Sequence, residues 1–325
     1  MAGPALQICF HDHCFDGVAS AATFLRFYRD KVRPLEDVAF LGLAHKAGLL
    51  FGDDAFRGEE NAVVDFRFSR DPRLTWWFDH HQSAFETPAD AAAFRADTSG
   101  RKFWDPRARS CTRFIARTLA EKRGWDYSPL TELVDWAEII DGALFETPRL
   151  AVQLTDPAMQ LMLLIEASKD PELCPRLIRE LSSRPLSLVL REPWVTGPLS
   201  PLLERHHEIV RLVTGRLRVD RGVATYDLAD LGVDNVNKFI AYDADPSVLY
   251  TVSVSRGPSR SKISLGSNPW KQELRTHNLA RIAERHGGGG HPPVAAISFR
   301  PDELERAREV AKSIAEELTT SSSPP

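Results

Sequence analysis

Residues 74–81 read LTWWFDHH, a short apolar and aromatic run that ends abruptly in Asp79, His80 and His81. The run has the length and composition of a strand, and it delivers one carboxylate and two imidazoles to its end. The same arrangement occurs twice upstream. Residues 62–65 read AVVD and close on Asp65, and residues 6–10 read LQICF and run straight into His11-Asp12-His13-Cys14-Phe15-Asp16-Gly17. Val18, Ala21, Leu25 and Tyr28 give residues 17–31 a helical spacing, and Val38–Leu43 is a further apolar run. Strand-length runs with helices between them predict an α/β unit, a buried and mostly parallel sheet with helices on both faces. Ligands of such sheets bind beyond the carboxyl ends of the strands, so these three strand ends should line one pocket.

The chain of 325 residues exceeds what one hydrophobic core usually fills, so two domains are expected. Hydrophobic residues at 43% and charged residues at 26% exclude a collagen-like or largely disordered chain. No apolar stretch has membrane-helix length, and the first residues lack the pattern of a signal peptide, so a cytoplasmic protein is expected. Four cysteines without a Cys-x-x-Cys pair suit neither a disulfide scaffold nor structural zinc. The net charge of −4 gives no global attraction to nucleic acid.

Helices are expected at 110–123, with Gly124 as the stop, and at 130–140. Residues 156–216 look helical, broken at Pro171, at Pro185 and by the turn-rich EPWVTGPLSP stretch. A smaller α+β region comes next: a hairpin around Asp220-Arg221-Gly222, strands at 248–255, 262–265 and 294–299, and helices at 272–285 and 303–318. The expected division is a catalytic domain over 1–185, a helical linker over 186–215, a substrate-binding domain over 216–318 and a disordered tail over 319–325.

Carboxylates mixed with imidazoles suit Mn²⁺, Fe²⁺ or Zn²⁺ better than Ca²⁺. Singly, an aspartate after a strand is commonly a turn former or helix cap. The His206-His207 pair reads as surface, and His45 and His277, with no acidic neighbours, receive no role. What sets the others apart is the conjunction of three strand ends with Asp141 in IIDGALF. Late in the chain, Gly287-Gly288-Gly289-Gly290-His291 removes four successive Cβ atoms. Backbone amides there could approach an anion closely, and the plain alternative is a flexible loop. Residues 256–286 hold seven basic against two acidic residues, which suits either a solvated face or contacts to phosphate.

Phe78-Asp79-His80-His81 resembles the signature of the DHH phosphoesterase superfamily, which includes RecJ-like exonucleases, nanoRNase/pAp phosphatases, and manganese-dependent pyrophosphatases and exopolyphosphatases. Asp16-Gly17-Val18-Ala19-Ser20-Ala21 resembles its first motif, Asp65 in VVDF the second, and Asp141 the fourth. Gly287–Pro292 resembles the GGGH-Pro signature of the DHH-associated C-terminal domain. Two departures stand out: Cys14 replaces the first aspartate of an Asp-x-Asp pair, and Gly266 replaces the arginine of a Ser-Leu-Arg-Ser pattern.

The resemblance implies a phosphoesterase that hydrolyses esters of short oligonucleotides or nucleotides with metal-activated water, in a cleft between its domains. It implies two divalent ions, Mn²⁺ by expectation, with Zn²⁺ or a single ion as alternatives because of Cys14. His11, Asp16, Asp65, His80 and Asp141 are the expected ligands, with Asp65 bridging. Asp12 and Cys14 are further candidates; Cys14 reads as a thiolate ligand, a silent replacement or a small buried hydrophobe. His81 would face the phosphate, Asp79 would orient its neighbouring histidine, and Gly288, Gly289, Gly290 and His291 would bind substrate. A homodimer is left open. The rivals are a non-catalytic nucleotide-binding or sensing protein with a degenerate metal site, and a pyrophosphatase or exopolyphosphatase. No Gly-x-Ser-x-Gly elbow supports a serine hydrolase, and the glycine run comes too late for a nicotinamide site.

Overall fold

The computed structural model describes residues 3–44, 50–232 and 236–320, so His45 and the end of the tail, 321–325, lie outside the described residues. The chain forms two compact units, Met1–Phe145 with Thr155–Leu202, and Glu146–Leu154 with Leu203–Pro325.

The first unit is built on β1 (Leu6–His11), α1 (Phe15–Lys31), β2 (Val38–Leu43), β3 (Glu60–Val64), β4 (Leu74–Asp79), α2 (Pro88–Ala96), β5 (Lys102–Trp104), α3 (Cys111–Arg123) and α4 (Thr131–Asp141). Its five strands are all parallel, in the order β2-β1-β3-β4-β5. The chain leaves β1 for β2 on one side and then crosses to β3 on the other. The strand order therefore reverses between β1 and β3, which opens a crevice at their carboxyl ends. The α/β expectation holds, with β5 and α2 as elements the sequence reading did not anticipate. On one face of the sheet Cys9, Val63 and Trp77 pack with Phe56, Phe66 and Phe68. On the other, Phe24 of α1 meets Trp76 and Phe78 edge-on or tilted at 5.6 and 5.9 Å. Burying Phe24 and Phe78 contributes about 1.5–3 kcal/mol each.

Small residues let α1 sit this close. A Cβ on Gly17 would stand 2.1 Å from the His11 carbonyl oxygen, so glycine alone permits the tight turn from β1 into the helix. Ser110 caps α3 by accepting from the Arg113 amide at 3.1 Å, and Gly124 ends it in the left-handed region at φ 57°.

Next come α5 (Pro148–Gln153), α6 (Pro157–Ala167), α7 (Leu173–Leu181), α8 (Leu186–Leu190) and α9 (Pro193–Arg216). The turn-rich stretch 192–201 is a correction: residues 193–201 form the start of α9, with Pro198 and Pro201 inside the helix. Each proline removes one backbone donor. Buried Val195 and Leu199, four residues apart on one helical face, hold the turn nonetheless.

The second unit carries β6 (Arg218–Asp220), β7 (Val223–Asp227), α10 (Ile240–Ala244), β8 (Tyr250–Arg256), β9 (Ser261–Ser267), α11 (Leu279–Glu284), β10 (Gly289–His291), β11 (Val294–Phe299) and α12 (Leu304–Thr320). They form a mixed sheet in the order β10-β11-β9-β8-β7-β6, with only β7 and β8 parallel. The expected hairpin turns on Arg221 and Gly222, both at positive φ, as a two-residue turn of this twist requires. Ala307, Ala311, Ile314 and Leu318 form the buried stripe of α12 against Val252, Leu265 and Ile297. That helix continues through Thr319 and Thr320, beyond the expected end at 318.

Three further expectations are corrected here. The helix expected over 272–285 begins only at Leu279, because the Tyr250 hydroxyl accepts the amides of Thr276 and His277, and Asn278 then caps α11. The glycine run is partly a strand rather than a loop: Gly289–His291 pairs with β11 at the sheet edge. His206, expected at the surface, is buried and donates from Nε2 to the Val152 carbonyl at 2.7 Å.

Burial holds the His206 imidazole below its ordinary value of 6.5. The unfolded chain then binds the extra proton, so stability is lost as pH falls below about 6.5. The thermal midpoint should fall more steeply between about pH 7.5 and about pH 5.5 in the wild type than in His206→Gln. Parallel curves for the two proteins would contradict this.

Candidate metal centre

The site is assembled at the β1–β3 switch point and the neighbouring end of β4. β1 ends in His11, whose Nδ1 lies 3.3 Å from Asp65 Oδ2. Asp65 comes directly after β3 in the left-handed region, at φ 56°, and its amide donates to the Phe78 carbonyl of β4 at 2.9 Å. A non-glycine residue seldom adopts this backbone, and strained positions of this kind collect at functional sites. The turn leaves the Asp65 carboxylate buried, with Oδ1 3.4 Å from His80 Nε2 and 3.9 Å from His81 Nδ1.

Asp79, at the end of β4, is fully buried and its Oδ1 organises the two histidines after it. It accepts from the His80 amide at 2.8 Å, the His81 amide at 3.2 Å and His81 Nδ1 at 2.7 Å. The histidine that Asp79 orients is therefore His81. Trp104 of β5 donates to the His81 carbonyl at 2.9 Å and fixes the same turn. His80 is oriented separately, by donating from Nδ1 to the Ala108 carbonyl at 3.0 Å.

That bond decides what His80 Nε2 can do. In the neutral ring its lone pair faces three carboxylates, Asp65 at 3.4 Å, Asp141 at 3.6 Å and Asp16 at 3.8 Å. Acceptors facing acceptors are tolerable only with a proton or a cation between them. Burial opposes charging of His80, yet Asp65 and Asp16 outweigh it and push its pKa up to about 10. Burial and the Asp65 charge raise Asp141, and raise Asp16 well above the carboxylate range. Asp65 itself is held down against burial by the imidazoles of His11 and His80.

This donor set fits divalent cations. Among the described residues, three groups have ligand atoms within 4.8 Å of one another: His11 with Cys14 and Asp65, Asp65 with His80 and His81, and Asp16 with His80 and Asp141. Asp65 and His80 are each shared between two of them. Cys14, half-buried as the cap residue of α1, thus joins the expected set, its thiol pushed up by burial and by Asp65. Asp12 does not: its carboxylate accepts from the His13 amide and packs where a Gly42 Cβ would otherwise stand. In the second unit, Gly288 and Gly290 pack tightly against β11 backbone, whereas a Cβ on Gly289 would meet nothing within 4 Å.

One feature was absent from the sequence reading. Both oxygens of Asp16 accept amides from the first turn of α3, Cys111 at 2.6 Å and Thr112 at 3.1 Å. Asp16 is therefore also the anchor of that helix, across 95 residues of sequence.

The fold is shared with solved structures. The pGpG-specific phosphodiesterase PggH from Vibrio cholerae superposes with a TM-score of 0.68 over 96% of this chain and 99% of its own, at 15% identity. An exopolyphosphatase-related protein from Bacteroides fragilis gives 0.52 over 98% and 94%, at 13% identity. The chain thus shares the fold of these two structures. No family model matches the sequence, and no curated protein does.

Asp16 and Asp141 should respond oppositely in the metal-free protein. Asp16→Ala orphans two buried amides and should cost about 2–5 kcal/mol by denaturant titration. Asp141→Asn removes only a repelled charge and should leave stability unchanged or raised. Equal losses would refute the anchoring role.

Proposed function

We propose that the chain is a metal-dependent phosphoesterase, a hydrolase acting on phosphate esters of short oligonucleotides or nucleotides. The observation that carries this reading is His80 Nε2, within 3.8 Å of carboxylates from three separate elements. The fold shared with a pGpG-specific phosphodiesterase over nearly the whole of both chains supports the substrate class. Asp16, Asp65, His80, Asp141 and His11 would hold two divalent ions, Mn²⁺ in our reading. Such ions, when bound, supply charge neutralisation at the phosphoryl oxygens and an acidified water. His81, its Nδ1 held by Asp79, presents the opposite nitrogen to accept or return a proton at the leaving oxygen. Gly288, Gly289, Gly290 and His291 would contact the substrate phosphate or sugar through backbone amides and the imidazole. Among the described residues no helix is long and apolar enough to cross a membrane.

Cys14, in the position of an expected aspartate, favours one second reading, a nucleotide-binding protein with a degenerate metal site. Phosphate or nucleotide release from dinucleotides, pAp, cyclic dinucleotides, pyrophosphate and polyphosphate, with Mn²⁺ present, separates the readings. Hydrolysis of dinucleotides or pAp is expected. Turnover of pyrophosphate or polyphosphate alone would replace the substrate class, and metal binding without any turnover would favour the second reading.

Asp65→Ala should abolish turnover and most bound metal, because Asp65 belongs to two of the three ligand groups. His80→Ala should lower metal affinity by about 10-fold or more, whereas His81→Ala should retain metal and lose kcat. Metal analysis that finds the two histidine variants alike would contradict this division.

Gly289→Val, built into open space, should leave the thermal midpoint unchanged and raise KM for a dinucleotide. An unchanged KM would remove the glycine run from substrate binding.

A further inference from the structure

The three ligand groups are not chemically alike. Two contain only carboxylates and imidazoles, and the third contains Cys14. Its members come from three elements: His11 from the end of β1, Cys14 from the cap of α1, and Asp65 from the turn after β3. Cys14 holds extended backbone at φ −127° and ψ 130°, at the start of a 17-residue helix.

A second observation concerns the carboxylate that this group shares with its neighbour. Asp65 is 1% exposed, its Oδ2 lies 3.3 Å from His11 Nδ1, and its Oδ1, on the side of His80 and His81, is buried without a hydrogen-bond donor in good geometry. A buried carboxylate oxygen in that condition is costly unless a cation completes it. Cys9 and Cys111 behave differently. Cys9 Sγ lies 3.0 Å from the Ala55 carbonyl and Cys111 Sγ 3.4 Å from the Phe78 carbonyl, each as a packed thiol with an acceptor.

We propose that His11, Cys14 and Asp65 form a mixed nitrogen–sulfur–oxygen metal position in which Cys14 ligates as thiolate, so that this position selects Zn²⁺ or Co²⁺ over Mn²⁺. The inference rests on the phosphoesterase reading only for the presence of an ion; the choice of ion comes from the sulfur. Thiolate is a soft donor that favours zinc and its analogues, whereas Mn²⁺ prefers oxygen. The two positions of the centre then differ in metal preference: an oxygen-rich one at Asp16, His80 and Asp141, and a sulfur-containing one at His11 and Cys14, with Asp65 beside both.

The test is a Co²⁺ titration of metal-stripped full-length protein, monitored through the near-ultraviolet thiolate-to-cobalt charge-transfer band. Wild type should develop the band. Cys14→Ser should lack it while still binding Co²⁺ at the other position, and its Zn²⁺-over-Mn²⁺ preference should fall by about 10-fold or more. Cys14→Asp should shift that preference toward Mn²⁺. Co²⁺ binding by wild type without the band, or a band that survives in Cys14→Ser, overturns the proposal. If Cys14→Ser does not fold, mass mapping of alkylated wild type decides instead: Zn²⁺ should protect Cys14 from iodoacetamide, and unchanged alkylation overturns the proposal. A protein that shows the band yet cleaves no phosphate ester refutes the phosphoesterase reading and leaves the thiolate position standing. A wild type that binds neither Co²⁺ nor Mn²⁺ refutes both.

Discussion

Three carboxylates, Asp16, Asp65 and Asp141, converge on Nε2 of His80, whose other ring nitrogen donates to the Ala108 carbonyl. In a buried setting that arrangement is repulsive unless a proton on that nitrogen or a cation relieves it, and the fold over-determines it. The rest of the first unit serves this convergence. The Ala108 carbonyl fixes the His80 ring, Asp79 fixes His81, and the left-handed turn at Asp65 presents a carboxylate from the middle of the sheet.

Holding like charges together requires rigid supports, and the supports are backbone. Asp16 is tied to two amides of α3, and α3 carries Thr112, whose hydroxyl meets Ser20 of α1 at 3.1 Å. Gly17 lets α1 start beside the His11 carbonyl. The helix that bears Asp16 and the strand that bears His11 are thereby locked to one another. A larger residue at 17 would displace an expected ligand as well as strain a turn.

Much of this was legible because it is written at strand ends. An apolar run that closes on Asp65, or on Asp79-His80-His81, announces both the strand and its chemistry, and the parallel order then brings the ends together. What could not be read depends on partners distant in sequence. Nothing near Asp16 signals the amides of residues 111 and 112, and nothing near His206 signals the Val152 carbonyl. The helix expected from Gln272 failed for the same reason, since Tyr250 takes up the amides that a helix would have used. Residues 193–201 failed in the opposite sense: turn-forming composition yielded to two buried anchors, Val195 and Leu199.

Gly266 shows how a departure from a resembled pattern becomes part of a fold. A Cβ at this position of β9 would stand 2.8 Å from Thr251 Oγ1 and 2.9 Å from the Tyr242 hydroxyl, and Tyr242 is buried. The phenol occupies the space that a longer side chain would need, so an arginine there would have to displace a core residue. Any cationic contact to phosphate in this unit must therefore come from elsewhere. Arg285 is already paired with Glu317, and Lys271 is tied to the Pro246 carbonyl at 2.5 Å. Arg256 of β8 and Arg281 of α11 are exposed, and among the described residues β10 stands at the sheet edge, paired only with β11. An edge strand of glycines has backbone donors on its open side and no side chains to shield them.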